Sequence, residues 1–547
     1  MAKLSFKQLP GEQLSLFPEN IYDKIPPNHP VRLIDKIVDK LDISFVLPTY
    51  RGGGNSAYPP RVMLKILFFA YFNNIYSSRK IEKALHENIY FMWIARHATP
   101  NFRTINNFRS KRLKGHIDKL FAEVVKMLNQ MGYVSLKKQY VDGTVIEAAA
   151  NRYTFVWRKS VEKNKAKLEE KIQAVLDEIH QQMRLDELEN HDELPEKIDT
   201  ETLEKHIEKI NEQLKKKPAP NHEKTLKKNI KKLNDEYVPR LNKYEEQLKT
   251  LGDRNSYSKT DPDATFMRTK DDHFGNGQLK PAYNIQVSSE NQFITHYSIH
   301  QKTTDTTCLI PHLEGFKRNY GQQSREIIAD AGYGSEENYT YLEAEKVEAY
   351  IKYNTFEKER KRSWAKNIFH PSRLYYNAQE DYYVCPMGQK MRKIKEGKRV
   401  SAHGYVSYVS YYEAQNCRAC PLRSGCFKGR GNRIIEVNHR LNQLRRKAKE
   451  RLESKKGLYH RRKRGVEVES VFGQLKQNHK FRRFTLRGLA NVEIEFGLMA
   501  IGHNLRKLMG QIAGYLPGNP IKKLKNRLLK YLHEIFLIKK QLLTLTA

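Results

Sequence analysis

Strand-forming and helix-forming patterns alternate along this chain in an order that few folds accommodate. From Tyr133 to Ala150 the residues are β-branched and aromatic, which predicts a strand. From 158 to 251 they are rich in Lys, Glu, Leu and Ile, with apolar positions recurring at 4-3-4 spacing. These are Leu168, Ile172, Val175 and Ile179, then Leu203, Ile207, Ile210 and Leu214, then Leu226, Ile230, Leu233 and Tyr237. Strand chemistry resumes at Ala282-Tyr-Asn-Ile-Gln-Val-Ser288 and at Gln292-Phe-Ile-Thr-His-Tyr-Ser-Ile-His300. A chain that leaves a strand for a long amphipathic helical stretch and then returns to strand carries a helical insertion in a sheet domain. Pro195 and the pair Pro218 and Pro220 divide the insertion into three helices, expected to fold back as a hairpin or small bundle.

The rest of the sheet follows by the same reasoning. Ser289-Glu-Asn291 reads as the turn of an antiparallel hairpin, and a helix is expected from Thr307. Arg325-Glu-Ile-Ile-Ala-Asp330 reads as a short buried strand, and Ser335 caps a helix with Glu336 and Glu337 in its first turn. Val347-Glu-Ala-Tyr-Ile-Lys-Tyr353 supplies the next strand. The order suits an α/β fold with a mixed sheet flanked by helices. Residues 20 to about 135 read as helical, with a helix opening near Val31 after Pro26-Pro-Asn-His-Pro30 and a loop at Arg51-Gly-Gly-Gly-Asn55. Another helix after Pro59-Pro60 carries Met63, Ile66, Leu67, Ala70 and Tyr71 at helical spacing. The tail of this region, Asn106-Asn-Phe-Arg-Ser-Lys-Arg-Leu-Lys114, reads either as a phosphate-contacting surface or as a solvated face.

Charge narrows the partners. Ninety-eight Lys and Arg against sixty-two Asp and Glu give a net charge of +36, which repels itself unless a polyanion shares the surface, and nucleic acid is the expected partner. A membrane is not expected. The apolar stretch Val62 to Tyr76 is short and is interrupted by Lys65 and two Asn, and the N-terminus lacks a signal-peptide pattern. Five cysteines, Cys308, Cys385, Cys417, Cys420 and Cys426, are an odd number clustered toward one region, which points to a reducing compartment. The expected location is the cytoplasm, in association with the nucleoid.

Three carboxylates then stand out. Asp142 lies within the first strand between Tyr140-Val141 and Val145-Ile146, where a buried acid needs a partner or a metal to offset its desolvation. Asp330 closes an apolar strand just before Gly332 and Gly334, where open α/β sheets present ligand groups. Glu469 lies beside the apolar face Val468, Val471, Phe472 and Leu475 of a helix, with Gly473 one turn on and Lys476 two turns on. Glu467 and Asp305 are rival acids, but Glu467 points away from Lys476 and Asp305 precedes a helix like an N-cap. Carboxylates converging from separate elements provide the hard oxygen donors that two magnesium ions need for phosphodiester cleavage.

The set Asp142, Asp330 and Glu469 resembles that of the DDE transposases of bacterial insertion sequences. Their third motif has Tyr, Arg, the catalytic Glu and Lys at fixed spacing. Tyr459, Arg462, Glu469 and Lys476 match the Tyr-to-Arg and Glu-to-Lys steps, whereas the Arg that the pattern puts at position 465 is Gly here. Ala57-Tyr-Pro-Pro-Arg-Val-Met-Leu-Lys-Ile-Leu67 resembles the N-terminal helical domain of one branch, and Asp330-Ala-Gly-Tyr333 the second motif. The resemblance implies an RNase H-like core, Mg²⁺ or Mn²⁺ on Asp142, Asp330 and Glu469, and DNA cleavage at terminal inverted repeats followed by strand transfer into target DNA. A homodimer or larger assembly on DNA is expected, with Lys476, Arg462, Arg482, Arg483 and Arg487 on the DNA. An RNase H-fold nuclease that never joins strands, and a non-catalytic DNA-binding protein, are the alternatives.

The implied division is an N-terminal helical DNA-binding domain (1–132), a core in three pieces (133–157, 256–353 and 456–510) and a charged, coiled-coil-like helical insertion (158–255). A small Cys-rich insertion (354–455) and a basic C-terminal helical tail (511–547) complete it. Cys417-Arg-Ala-Cys420 forms one metal knuckle. With Cys426 and Cys385, or with His403 as a substitute, it closes a structural zinc site, or else the thiols are reduced packing groups.

Overall fold

A computed structural model describes residues 20, 23–50, 56–185, 198–216, 222–269, 277–401 and 404–513. The 51–55 loop, Pro195, Pro218, Pro220, His403 and all but the first residues of the basic tail lie outside the described residues.

The core is a mixed sheet. Its central strand, Lys138–Glu147, runs antiparallel to Leu279–Glu290 on one side and parallel to Glu326–Ala329 on the other. Phe293–His300 pairs antiparallel with Leu279–Glu290, Thr265–Arg268 extends the same edge, and Glu348–Ile351 runs parallel to Glu326–Ala329. Helices cover both faces, an arrangement consistent with an RNase H-like fold. Side-chain alternation sets the two faces. Val141, Ile327, Ala329 and Ile351 pack with helices Leu309–Tyr320 and Glu336–Ala344, whereas Tyr140, Ile328 and Tyr350 pack with Leu452 and Val468.

The hairpin forms as its alternation predicts, but its turn is later than the sequence suggests. The strand continues to Glu290, and the corner falls at Asn291 and Gln292, both with positive φ. The extension has a cause: the Glu290 carboxylate accepts the amides of Ser135 and Leu136 and the Ser135 hydroxyl, so its backbone is held in the sheet.

The N-terminal helices share one continuous apolar cluster with the sheet and with the long helix Leu489–Ala513. Helix Pro60–Phe72 starts on a proline, where no amide partner is lost, and Met63 to Tyr71 are all buried. That burial includes Lys65, 2% exposed, whose Nζ donates to Asp35 at 2.5 Å and to Asp39 at 2.9 Å. In the helical insertion, Arg158–Leu185 and Thr200–Lys216 pack against a third element that is longer than the 4-3-4 pattern implied. It runs from Glu223 to Leu251 through a wide turn at Leu233–Tyr237.

The Cys-rich insertion departs most from the sequence reading, which assigned it no sheet. Five strands, Tyr375–Asn377, Tyr382–Val384, Lys390–Val400, Val406–Ala414 and Ile434–Val437, form an antiparallel sheet there. Among the described residues, no helix is long and apolar enough to cross a membrane.

Lys65 tests how the N-terminal helices are held. Lys65→Ala leaves Asp35 largely buried without its cation, so it should lower unfolding stability by about 3 kcal/mol, the low end for breaking a buried pair because Asp39 is partly exposed. Urea melts followed by tryptophan fluorescence measure this, and a loss under about 1 kcal/mol would mean that the pair adds little beyond a surface ion pair.

Candidate active site

Asp142 and Asp330 lie on adjacent strands. The parallel register pairs Tyr140 with Ile328, so two residues further on both aspartates come to the same face, Asp142 midway along its strand and Asp330 just past the end of its own. Each has one oxygen fixed by local backbone: Asp142 Oδ1 accepts the Gly143 amide at 2.9 Å, and Asp330 Oδ1 accepts the Gly332 amide at 2.9 Å. The Oδ2 atoms turn toward a single guanidinium. Arg464 Nη2 lies 2.8 Å from Asp142 Oδ2 and 3.8 Å from Asp330 Oδ2, while its Nη1 lies 3.6 Å from Glu469 Oε1. The three carboxylates identified in the sequence therefore meet around one cation.

Arg464 was missed because the helix is not wound as the sequence pattern assumes. Helix Lys455–Arg464 passes into a π-wound turn at Gly465–Glu469, and a second such turn occupies Gln474–Asn478. In π winding the neighbour one turn away is i+5 rather than i+4. Residue 464 therefore faces Glu469, where regular winding would call for position 465. A Cβ at Gly465 would make only ordinary contact with Glu469 Oε2, at 3.7 Å. Arg464 is thus the arginine that stands against Glu469. Arg462, which the motif spacing had picked out, lines a shallow groove of about 450 Å³ with Lys455, Leu458, Tyr459 and Lys463.

The rival acids occupy distinct places. Glu467 is buried, accepts the Gln292 amide at 2.7 Å and pairs with Lys463 at 3.0 Å, so it ties the helix to the hairpin turn. Asp305 stands behind the site: its Oδ1 accepts Asn284 Nδ2 and Gln286 Nε2, each at 2.8 Å. Gly143 admits it, since a Cβ there would fall 2.4 Å from Asp305 Oδ1. Tyr333 donates to Gln286 Oε1 and completes this network. Burial first, then the charges of Asp305, Asp142 and Asp330, push its phenol well above the usual range, so it remains a donor.

The expected DNA-contacting residues are also held by the protein itself. Lys476 Nζ donates to the Val145 carbonyl at 2.9 Å, three residues along the strand from Asp142, or about 10 Å at ordinary strand rise. Arg483 donates to the carbonyls of Ala148 and Ala150, both at 3.0 Å, and Arg487 to that of Ala149 at 2.7 Å. These two arginines staple the segment that follows the central strand. Arg482 is exposed and bonds to the Lys476 carbonyl and to Gln477.

The donor set at Asp142, Asp330 and Glu469 consists of hard oxygens, with the Oδ2 of each aspartate turned toward Arg464 rather than toward local backbone, which fits a divalent ion such as Mg²⁺. Arg464 occupies the space between them, and among the described residues no three His, Cys, Asp or Glu side chains close around one point as they stand. The same holds for the four thiols of the insertion as they stand. The Arg433 amide donates to Cys417 Sγ at 3.3 Å and its guanidinium to Cys426 Sγ at 3.0 Å. Cys385 and Cys417 pack against the sheet's apolar cluster, and all four thiols are free.

Two segments match known families. Residues 384–509, which contain Arg464 and Glu469, match a transposase DDE domain, and residues 19–111 match a transposase domain, DUF772. No curated protein and no solved structure matches the chain. With both transposase segments on one chain and three carboxylates meeting on one face of a mixed sheet, the matches support a DDE transposase of the insertion-sequence type.

Proposed function

We propose that the chain cuts DNA at the terminal inverted repeats of its element and joins the freed ends to target DNA, using Asp142, Asp330 and Glu469 as metal ligands. The convergence of these three residues, from two strands and a helix, on one guanidinium supports the reading most directly. Bound divalent metal would supply Lewis-acid stabilisation of the phosphoryl oxygens and lower the pKa of the attacking water or 3′ hydroxyl. The chain's own contribution is positional. Gly143 and Gly332 amides hold one oxygen of each aspartate, which fixes the direction of the other. The Asp305, Gln286 and Tyr333 network supports the strand beneath Asp142, so the carboxylate has little freedom to turn away. Arg464, once released from the carboxylates, lies within side-chain reach of a phosphate bound there, and its planar fork suits two phosphate oxygens. Arg462 and Lys463 extend positive charge along the same helix.

Changing Asp142, Asp330 or Glu469 singly to Ala should abolish cleavage of a terminal-repeat duplex and leave binding to it within about threefold, since affinity resides in the cations. Gel analysis of cleaved and joined products, alongside binding by anisotropy, reads both. A variant that still cuts at the wild-type rate would remove that residue from the site, and cleavage with no joined product would favour a nuclease.

Arg464 gives a test that does not depend on catalysis. Arg464→Gln removes the cation that competes with metal for the three carboxylates, so Mn²⁺ should bind the DNA-free variant on the order of tenfold more tightly, a change of about 1.4 kcal/mol. Its metal-free form should melt lower than wild type, because the carboxylates then repel one another. Calorimetric Mn²⁺ titration and melting curves measure this, and weaker Mn²⁺ binding by the variant would contradict the competition.

A further inference from the structure

The hairpin formed by Lys390–Val400 and Val406–Ala414 is supported by the rest of its sheet over only part of its length. Tyr382–Val384 covers Lys390 to Arg392, and Ile434–Val437 covers Ser410 to Glu413. Lys393 to Glu396 face Tyr412 to Ser410, which Ile434–Val437 backs, so that stretch has one open edge, whereas Gly397 to Val400 and Val406 to Val409 pair only with each other and form a two-stranded tip with both edges open. The strand from Lys393 to Val400 carries Lys393, Lys395, Lys398 and Arg399 against one acid, Glu396. Lys393 pairs with Glu396 at 2.5 Å, and Arg399 with Glu436 at 2.5 Å. The other two lysines lie over aromatic rings, Lys395 at 4.8 Å from the Tyr411 centroid and Lys398 at 5.8 Å from that of Tyr408. Gly397 makes room for Tyr411, whose ring edge would lie 3.2 Å from a Cβ at that position.

Lysines on open strand edges have an ordinary use, which is to block edge-to-edge aggregation. That use does not call for apolar groups beside them. Here Val400 is 67% exposed, Tyr408 63%, Ile394 46% and Val406 41%, on a ribbon too thin to have a core of its own. Cations over aromatic rings beside open apolar side chains form a surface that contacts phosphates at its margins and base edges at its centre. Two paired strands lie about 4.8 Å apart, so with side chains they match a groove roughly 12 Å wide, the major groove of B-DNA. The minor groove, at about 6 Å, is too narrow for them.

We infer that the outer part of this hairpin, residues 393–400 and 406–409, is a duplex-binding arm that enters the DNA major groove. The inference rests on the DNA-cutting reading proposed above and assigns a binding role to a segment distant in sequence from the three carboxylates. Lys398, Val400, Val406 and Tyr408 share one face of the ribbon, which meets base edges, where thymine methyl groups offer apolar contact, with Lys398 on a phosphate at its margin, while Lys395, on the opposite face, reaches over the open strand edge to the other backbone.

The test uses the full chain and a fluorescein-labelled duplex of mixed sequence, with affinity measured by anisotropy between about 50 and 200 mM salt. Losing two phosphate contacts in Lys395→Ala/Lys398→Ala should make the slope of log K against log salt shallower by about two units. Lys395→Arg/Lys398→Arg should keep the wild-type slope, which guards against a folding defect. A duplex with bulky substituents at the cytosine 5-position, which fill the major groove, should bind wild type more weakly and make little further difference to the alanine variant. If wild type binds with a steep slope and the alanine variant matches it, the arm is not on DNA while the transposase reading stands. If the filled duplex binds wild type normally and a minor-groove ligand displaces it instead, the groove assignment fails. A change in oligomeric state in the alanine variant with no change in slope would make the ribbon a contact between copies, and a wild-type slope near zero would overturn the DNA reading itself.

Discussion

One guanidinium organises the functional end of this protein. Arg464 is the cation around which Asp142, Asp330 and Glu469 gather, and without a counter-ion three carboxylates that close together would repel strongly in a partly buried setting. The rest of the architecture serves to bring them there. The parallel register of two strands aligns the aspartates, Gly143 and Gly332 orient them, and a π-wound turn rotates the helix so that Arg464 and Glu469 face the aspartates together. A π-wound turn is less favourable than regular winding and is frequent at functional sites. In this helix it contains Glu467, tied to the Gln292 amide, and follows the buried His460, whose Nδ1 lies 2.9 Å from the Tyr140 hydroxyl.

The frame behind the site is stiff. The N-terminal helices, one face of the sheet and helix Leu489–Ala513 share a single apolar cluster, so the two matched transposase segments are not independently packed pieces. Two buried polar groups within it are well bonded: Glu495 accepts the Thr485 and Leu486 amides, and Asn504 bridges the amide and carbonyl of Ile294. The arginines beyond Glu469 contribute to the same stiffness. Arg483 and Arg487 hold the carbonyls of residues 148–150, which fixes the path of the chain as it leaves the central strand. Basic residues near an active site thus act on the fold as well as on any phosphate nearby.

The parts of this architecture readable in the sequence are those written in local periodicity. The buried helix after Pro59-Pro60, the heptad-like insertion and the hairpin ending at His300 each repeat apolar residues at the spacing of their own element. Asp330 was legible because an acid that ends an apolar strand before glycines has few other uses. Arg464 was not, because its position depends on a one-residue change in helix winding that no composition signals. The sheet at 375–437 escaped notice for a different reason. Its longest strand is mostly exposed and cationic, so its only inward repeat, Met391 with Tyr412 and Ala414 opposite, is too short to read as alternation. The spacing of the thiols did not signal the contacts that Arg433 makes with Cys417 and Cys426.

The central claim is that Asp142, Asp330 and Glu469 form one metal-binding centre. Replacing Mg²⁺ with Fe²⁺ and adding ascorbate and peroxide generates hydroxyl radicals at the bound ion, which cut the nearby polypeptide backbone. The account predicts cuts clustered around 142, 330 and 469 together, suppressed by excess Mg²⁺ and lost at all three segments in Glu469→Ala. Cuts confined to one of the three segments, or a pattern indifferent to Mg²⁺ and to the Glu469 change, would contradict it.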